Sequence, residues 1–480
     1  MGANATIIKG LMRFSPAFLP FADAATEELP MSRLLRLSLF QLTVGMAAVL
    51  LIGTLNRVMI VELGVPSSVV AIMLALPLLA APFRTLIGFR SDTHRSFLGW
   101  RRSPFIWMGT MLQFGGLAIM PFALLILSGD TTGPLWVGYA AAALAFLLVG
   151  AGLHTVQTIG LALATDLAPE HSRPSVVALL CAMLLLGMVI SAVIFGWALS
   201  NFSQVRLIQV VQGSAVVTIA LNGFALWKQE PRSSALAPSQ AVNAKFASMW
   251  SSFTERSRTH RRLLATAIGT AGFSMQDILL EPYGGKVLNL PVAATTALTA
   301  MLALGGGVGL LIAARWLNRN GDPHRVAAIG VVIGIFAFAA VILSAPMESQ
   351  GLFAIGVALI GGGAGMFAHG TLTATMALAR SEDRGLALGA WGASQATAAG
   401  LAIGMSGAIN DSVARLAANG SLGEALVSPA TSFALVYAIE IVLLFATVVA
   451  LGPLVGDSGD RKSIATTFPV NAINPGGSRS

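Results

Sequence analysis

Twelve apolar runs, each roughly the length of a membrane span, follow one another along this chain. They lie near 36–61, 69–89, 103–127, 135–165, 175–199, 206–227, 263–285, 293–315, 325–345, 351–379, 386–409 and 430–452. A helix needs about 20 apolar residues to cross a bilayer. Inside hydrocarbon a segment must satisfy its own backbone hydrogen bonds, so each run is expected to be helical. With 55% of 480 residues hydrophobic and 10% charged, the surface required is far more apolar than a soluble domain can carry. The expectation is an all-α membrane protein with twelve transmembrane helices.

The basic residues orient it. Arg57, Arg206, Lys286 and Arg415 fall on one side or at its span edges, and the other 25 of 29 Lys and Arg fall on the opposite side. Cationic loops stay in the cytoplasm, which places both termini there. The net charge of +8 is then topological and faces anionic lipid, so nucleic acid is not an expected partner. The longest polar interruption, 228–262, divides the spans into six and six. The domain reading is an interfacial amino-terminal segment 1–33, a first half 34–227, a cytoplasmic linker 228–262, a second half 263–453 and a tail 454–480. Residues 1–30 lack the apolar core of a secretory signal, and Phe14, Phe18, Leu19 and Phe21 with Lys9 and Arg13 suit a membrane surface. Cys181 is the single cysteine, so no internal disulfide forms.

The halves repeat. Asp166 to Arg173 after the fourth span matches Ala379 to Gly385 after the tenth, each an acidic–basic turn before a Gly/Ala-rich helix. Six-plus-six helices with parallel halves are the major facilitator architecture. Gly88 and Asp92, then Arg101 and Arg102, resemble that superfamily's cytoplasmic gating loop, with Thr93 to Leu98 as extra residues between them. Asp92 is expected to cap or pair with a neighbouring helix end.

Charge inside an apolar helix costs about 2.5–3.5 kcal/mol at the bilayer centre, so such residues mark a site or an internal pair. Span 1 carries Asn56, Arg57 and Glu62, and span 7 carries Gln276, Asp277 and Glu281. Aligning the halves sets Asn56 on Gln276 and Arg57 on Asp277. Arg57 and Asp277 are therefore expected to pair between the halves, as a latch or as a switch. Asp277 and Glu281 share a helix face and could carry a proton, or Glu62 and Glu281 could simply be wet. Span 4 holds His154 with Gln157, and span 10 holds His369. A neutral imidazole binds metals, including the magnesium of a chlorophyll ring, but it also hydrogen-bonds neighbouring helices. Glycines flank both histidines. Small residues let helices meet closely or leave room for a flat ring, and both readings are open here.

No Walker loop, HExxH or nucleophile elbow occurs, so no catalytic residue and no metal set is expected and the chain is not read as an enzyme. Four segments resemble the PucC/LhaA family, the bacteriochlorophyll-delivery branch of the major facilitator superfamily. They are Asn56 to Pro66, Ser91 to Ser96, Leu279 to Gly285 and Ala390 to Thr397. The segment Phe18 to Ala25 leans toward the branch serving light-harvesting 1, with light-harvesting 2 as the alternative. The resemblance implies an assembly factor of purple phototrophic bacteria, in the inner or intracytoplasmic membrane. It implies bacteriochlorophyll as a bound or carried pigment, with carotenoid or lipid as further candidates. The implied partners are antenna polypeptides, the reaction centre–light-harvesting 1 complex, bacteriochlorophyll synthase and the insertion machinery. It also makes the six polar residues of spans 1 and 7 signature positions without assigned roles. A proton-coupled transporter of a small amphipathic solute is the other function class.

Overall fold

A computed structural model of the chain describes residues 29–79, 100–129, 133–169, 172–230, 258–317, 319, 321–378 and 384–456. Among these residues the regular structure is entirely helical. In chain order the helices are α1 (Met31–Glu62), α2 (Ser67–Leu79), α3 (Ser103–Leu127), α4 (Leu135–Leu167), α5 (Arg173–Ala198) and α6 (Gln204–Leu226). Then come α7 (Thr259–Lys286), α8 (Val292–Leu317), α9 (Pro323–Ser344), α10 (Gln350–Leu378), α11 (Arg384–Ala418) and α12 (Pro429–Leu451). Among the described residues ten helices are long and apolar enough to cross a membrane, and α2 is apolar but shorter. The expected gating-loop residues Gly88 and Asp92, the segment Phe18 to Ala25 and most of the 228–262 linker lie outside the described residues.

The chain forms two compact units. The first contains residues 1–241, 276–303 and 403–433, and the second contains 242–275, 304–402 and 434–480. In the first unit the most extensive pairing joins α3 to α4, and in the second it joins α9 to α10. The equivalent helices of the two repeats are thus paired alike.

Glycine makes both pairings close. A Cβ on Gly116 would stand 2.7 Å from the Ala145 carbonyl oxygen, and one on Gly109 would stand 2.9 Å from that of Gly152. In the second unit a Cβ on Gly363 would meet the Gly330 oxygen at 2.5 Å, and one on Gly356 would meet Val341 at 2.8 Å. Without a hydrophobic drive between helices in lipid, such backbone proximity supplies the packing. Aromatic side chains also pack together in the second unit. Phe273 lies between Phe338 and Phe367, with ring centroids 6.4 and 5.8 Å away, and Phe338 stacks on Tyr437.

The glycines beside the histidines are used in the same way. Gly150 lies against the Pro77 ring, Gly152 against Gly109 and Gln113, and Gly160 against the Phe40 ring. In the second unit Gly305 and Gly309 meet Ala358 and Gly362, Gly365 meets Gly306, and Gly370 meets Pro323 and Ala327. These glycines serve close helix approach, one of the two readings left open by the sequence.

Candidate functional site

The polar residues of α1 and α7 come together in the first unit, at the carboxyl ends of both helices. Neither helix is regular there. α1 opens into π turns over Val49–Leu55 and Val58–Glu62. π turns inside α-helices recur at functional sites. α7 tightens instead, into a 3-10 turn over Met275–Ile278, and resumes as Leu280–Lys286.

The cause in α7 is legible. Pro282 has no N–H, so the carbonyl of Ile278, four residues earlier, loses its helical donor. The Asn56 amide replaces it, donating to Ile278 O at 3.0 Å and to Asp277 O at 3.4 Å. Asn56 is fully buried, and a buried carbonyl left unmet costs about 1–3 kcal/mol. The asparagine of one repeat thus completes the broken backbone of the other.

Arg57 is 4% exposed and ties α1 to the α7–α8 loop. Its guanidinium donates to Glu62 on its own helix and, at 3.1 Å, to the Leu290 carbonyl. It lies flat against α7 because Gly285 has no side chain, and a Cβ there would be 3.1 Å from the guanidinium. Leu290 is itself placed by a bond from its N–H to Gly284 O at 2.9 Å, after Asn289 takes a left-handed φ of 53°. Asparagine tolerates that conformation better than most residues.

The expected Arg57–Asp277 pair does not form. Arg57 is engaged by Glu62 and Leu290, and the Asp277 carboxylate accepts from the Gln276 side-chain amide. The arginine's carboxylate partner comes from five residues along its own helix, because the widened turns of α1 bring Glu62 around to it. Glu62 is partly exposed, as one of the two readings expected, whereas Glu281 is 2% exposed and not wet. Glu281 accepts from Thr299 Oγ1 on α8 at 2.8 Å. Gly53 of α1 packs directly on that same threonine.

A second junction of the first unit joins α2 to α11. The Asp411 carboxylate receives the Ser67 N–H at 3.1 Å and the Ser68 N–H at 2.7 Å, capping the amino end of α2. Asn410 donates to Ser67 Oγ at 3.3 Å, and Gly407 lets the backbone of Ser67 approach. At the other ends of the helices, Glu230 caps α3 by accepting from the N–H groups of Arg101, Arg102 and Ser103 at 2.7–2.9 Å. The Arg101 and Arg102 side chains meet Asp166 at 2.5 and 3.1 Å. Acidic groups at helix amino ends are favoured by the unsatisfied N–H groups and the helix dipole. Capping of this kind was expected of Asp92, which lies outside the described residues, and at α3 it is Glu230 that supplies it.

Sequence reasoning missed Thr299, Asp411, Asn222 and Glu230. Asn222 bridges three helices, accepting from Thr43 at 2.8 Å and donating to Thr110 at 2.9 Å. Single threonines and asparagines in apolar helices give little signal. Glu230 was findable, as the acid that follows the sixth span directly. His154 and Gln157 are half-buried on α4 in the first unit, and His369 is half-buried on α10 in the second. Among the described residues no three His, Cys, Asp or Glu are grouped to hold a metal.

This architecture is that of a multi-pass membrane protein with the major facilitator fold. It is similar to a mutant form of the nucleoside transporter NupG, with a TM-score of 0.66 and 14% identity over 88% of this chain and 100% of that one. The chain belongs to the PucC family: the family model described as PUCC protein matches residues 54–459. It is 55% identical to Protein PucC of Rhodovulum sulfidophilum over 83% of this chain and 89% of that protein. It is 54% identical to an uncharacterized protein of the puhA-bchM intergenic region of Rhodobacter capsulatus, over 91% of this chain and 92% of that protein.

Proposed function

We propose that this chain is a non-enzymatic assembly factor for the light-harvesting 1 antenna, residing in the photosynthetic inner membrane. In this reading it holds or delivers bacteriochlorophyll while antenna polypeptides are inserted around the reaction centre. The observation that carries the reading is the match of nearly the whole membrane part, residues 54–459, to the PucC family. The four signature segments lie within that match. In this reading the pigment ring lies on lipid-facing helix surfaces or beside the half-buried His154, Gln157 and His369. A flat pigment with a long tail enters such surfaces sideways from lipid.

The test is deletion of the gene followed by absorption spectra of the membranes, with the purified protein's own visible spectrum recorded in parallel. Loss of the light-harvesting 1 band with light-harvesting 2 retained supports the proposal. The opposite loss moves the chain to the light-harvesting 2 branch. Unchanged antenna bands, with proton-dependent solute uptake in proteoliposomes, would replace assembly with transport.

A further inference from the structure

The start of α1 and the exit of α6 meet in the first unit around two arginines. Arg33 is locked onto the buried Gln229. Its Nε donates to Gln229 Oε1 at 3.1 Å, and a terminal nitrogen donates to the Gln229 carbonyl at 2.5 Å. The Gln229 amide returns a bond to the Arg33 carbonyl at 3.2 Å. Arg36 follows on the same helix, and its guanidinium carbon stands 6.0 Å from the centre of the Phe224 ring of α6. Residues three apart share a helix face, with Cβ atoms about 5–6 Å from each other. Both guanidiniums are therefore held side by side against the last turn and exit of α6, over residues 224–229.

Everything that positions these two groups is neutral. An amide, a carbonyl and a ring fix them and leave both positive charges unmatched. Among the described residues neither arginine meets a carboxylate, and the buried Nε of Arg36 has no acceptor. The carboxylates described at this end of the first unit are taken elsewhere. Glu230 accepts from the N–H groups that open α3, and Asp166 accepts from Arg101 and Arg102. Lys228, exposed beside Gln229, adds a further cation. The start of α7 is different: Arg258 donates to the Pro453 carbonyl and Arg261 to those of Val449 and Ala450, so both are spent on the end of α12. Exposed Trp227 at the end of α6 and exposed Trp107 on α3 mark this level as that of lipid headgroups. From Phe224 toward the middle of the span, α6 exposes an apolar strip of Ala220, Val217 and Val216. A planar guanidinium binds phosphate through paired N–H groups, and a charge at this depth needs a counterion.

We propose that Arg33 and Arg36 hold the phosphate of an anionic phospholipid, whose acyl chain follows the exposed strip of α6. The bound lipid pins the start of α1 to the exit of α6. This inference does not depend on the antenna assignment. It is tested on the purified, delipidated full chain in a neutral detergent, with phosphatidylglycerol or phosphatidylcholine added. Radiolabelled phosphatidylglycerol should bind saturably and about tenfold more tightly than phosphatidylcholine. It should raise the thermal midpoint by about 2 °C at about ten times its half-saturating concentration. Excess inorganic phosphate at constant ionic strength should not displace it. Arg33→Gln and Arg36→Gln should each weaken phosphatidylglycerol binding about tenfold. Arg36→Lys should retain part of it, and Arg325→Gln, an exposed position at the start of α9, should leave it intact. Should Arg33→Gln fail to fold, Arg36→Gln and the two wild-type isotherms still decide. Equal affinity for the two lipids, or phosphatidylglycerol affinity unchanged in Arg36→Gln, overturns the site. Displacement by inorganic phosphate overturns the lipid as its occupant.

Discussion

α1 and α7 occupy equivalent places in the two repeats and carry matched polar residues, yet they depart from the α-helix in opposite directions. α1 widens into π turns and keeps its continuity. α7 tightens at Met275–Ile278, breaks ahead of Pro282, and restarts. The widened helix supplies side chains, Asn56 and Arg57. The broken helix and its following loop supply bare carbonyls, Ile278 and Leu290. Repeated sequence therefore yields complementary partners rather than equal ones. The Arg57–Asp277 expectation failed because it assumed that symmetric positions would face each other with opposite charges.

The contrast predicts unequal tolerance of added bulk. Gly53→Leu drives a side chain into Thr299 at a buried contact and should cost about 3 kcal/mol, seen as a large fall in the thermal midpoint in detergent. Gly285→Ala on α7 should cost under about 1 kcal/mol, because the flexible Arg57 side chain can yield. Equal losses at the two glycines would erase the distinction.

The backbone repair at α7 should be exchangeable. Asn56→Leu leaves Ile278 O unmet and should cost about 2 kcal/mol. In a Pro282→Ala background residue 282 regains an N–H for that carbonyl, so the same Asn56→Leu change should cost clearly less. A thermal-unfolding double-mutant cycle reads this directly. At the α2–α11 junction, Asp411→Ala removes the acceptor of two backbone N–H groups and should cost about 1–2 kcal/mol, with Asp411→Asn retaining part.

The smallest effects concern the charges. Arg57 and Glu62 should couple by about 0.5–1 kcal/mol, the modest figure reflecting the exposed carboxylate. Arg57→Ala and Asp277→Ala should add without coupling. Strong coupling in that second cycle would restore the symmetric pairing.

The sequence made much of this visible, and the remainder was hidden for definable reasons. Apolar runs located the helices, since span length and composition are local properties. The end of α11 was missed: the expected span stops at 409, whereas the helix continues to Ala418 through Asn410, Asp411 and Arg415. Those polar residues resemble a loop until Asp411 is seen to cap α2. Asn56, Arg57 and Glu281 stood out because charge is rare in apolar helices, but their partners could not be read. Beside Glu62, they are the backbone carbonyls of Asp277, Ile278 and Leu290 and the hydroxyl of Thr299, groups that carry no distinguishing letter. Pro282 was legible as a helix breaker, and its orphaned carbonyl followed from chemistry alone. The glycines were ambiguous because close approach and an open slot demand the same small residue.

The exit from α6 is anchored twice. Gln229 exchanges hydrogen bonds with Arg33 at the start of α1, and Glu230 grips the first N–H groups of α3. Both residues lie at the start of the 228–262 linker. Tension applied there by a docking protein would reach the starts of two helices before it reached anything else. The linker's root thus acts as a strain relief, like the clamp on a cable where it enters a housing. A cut beyond residue 230 would sever the connection between the repeats and leave this clamp in place.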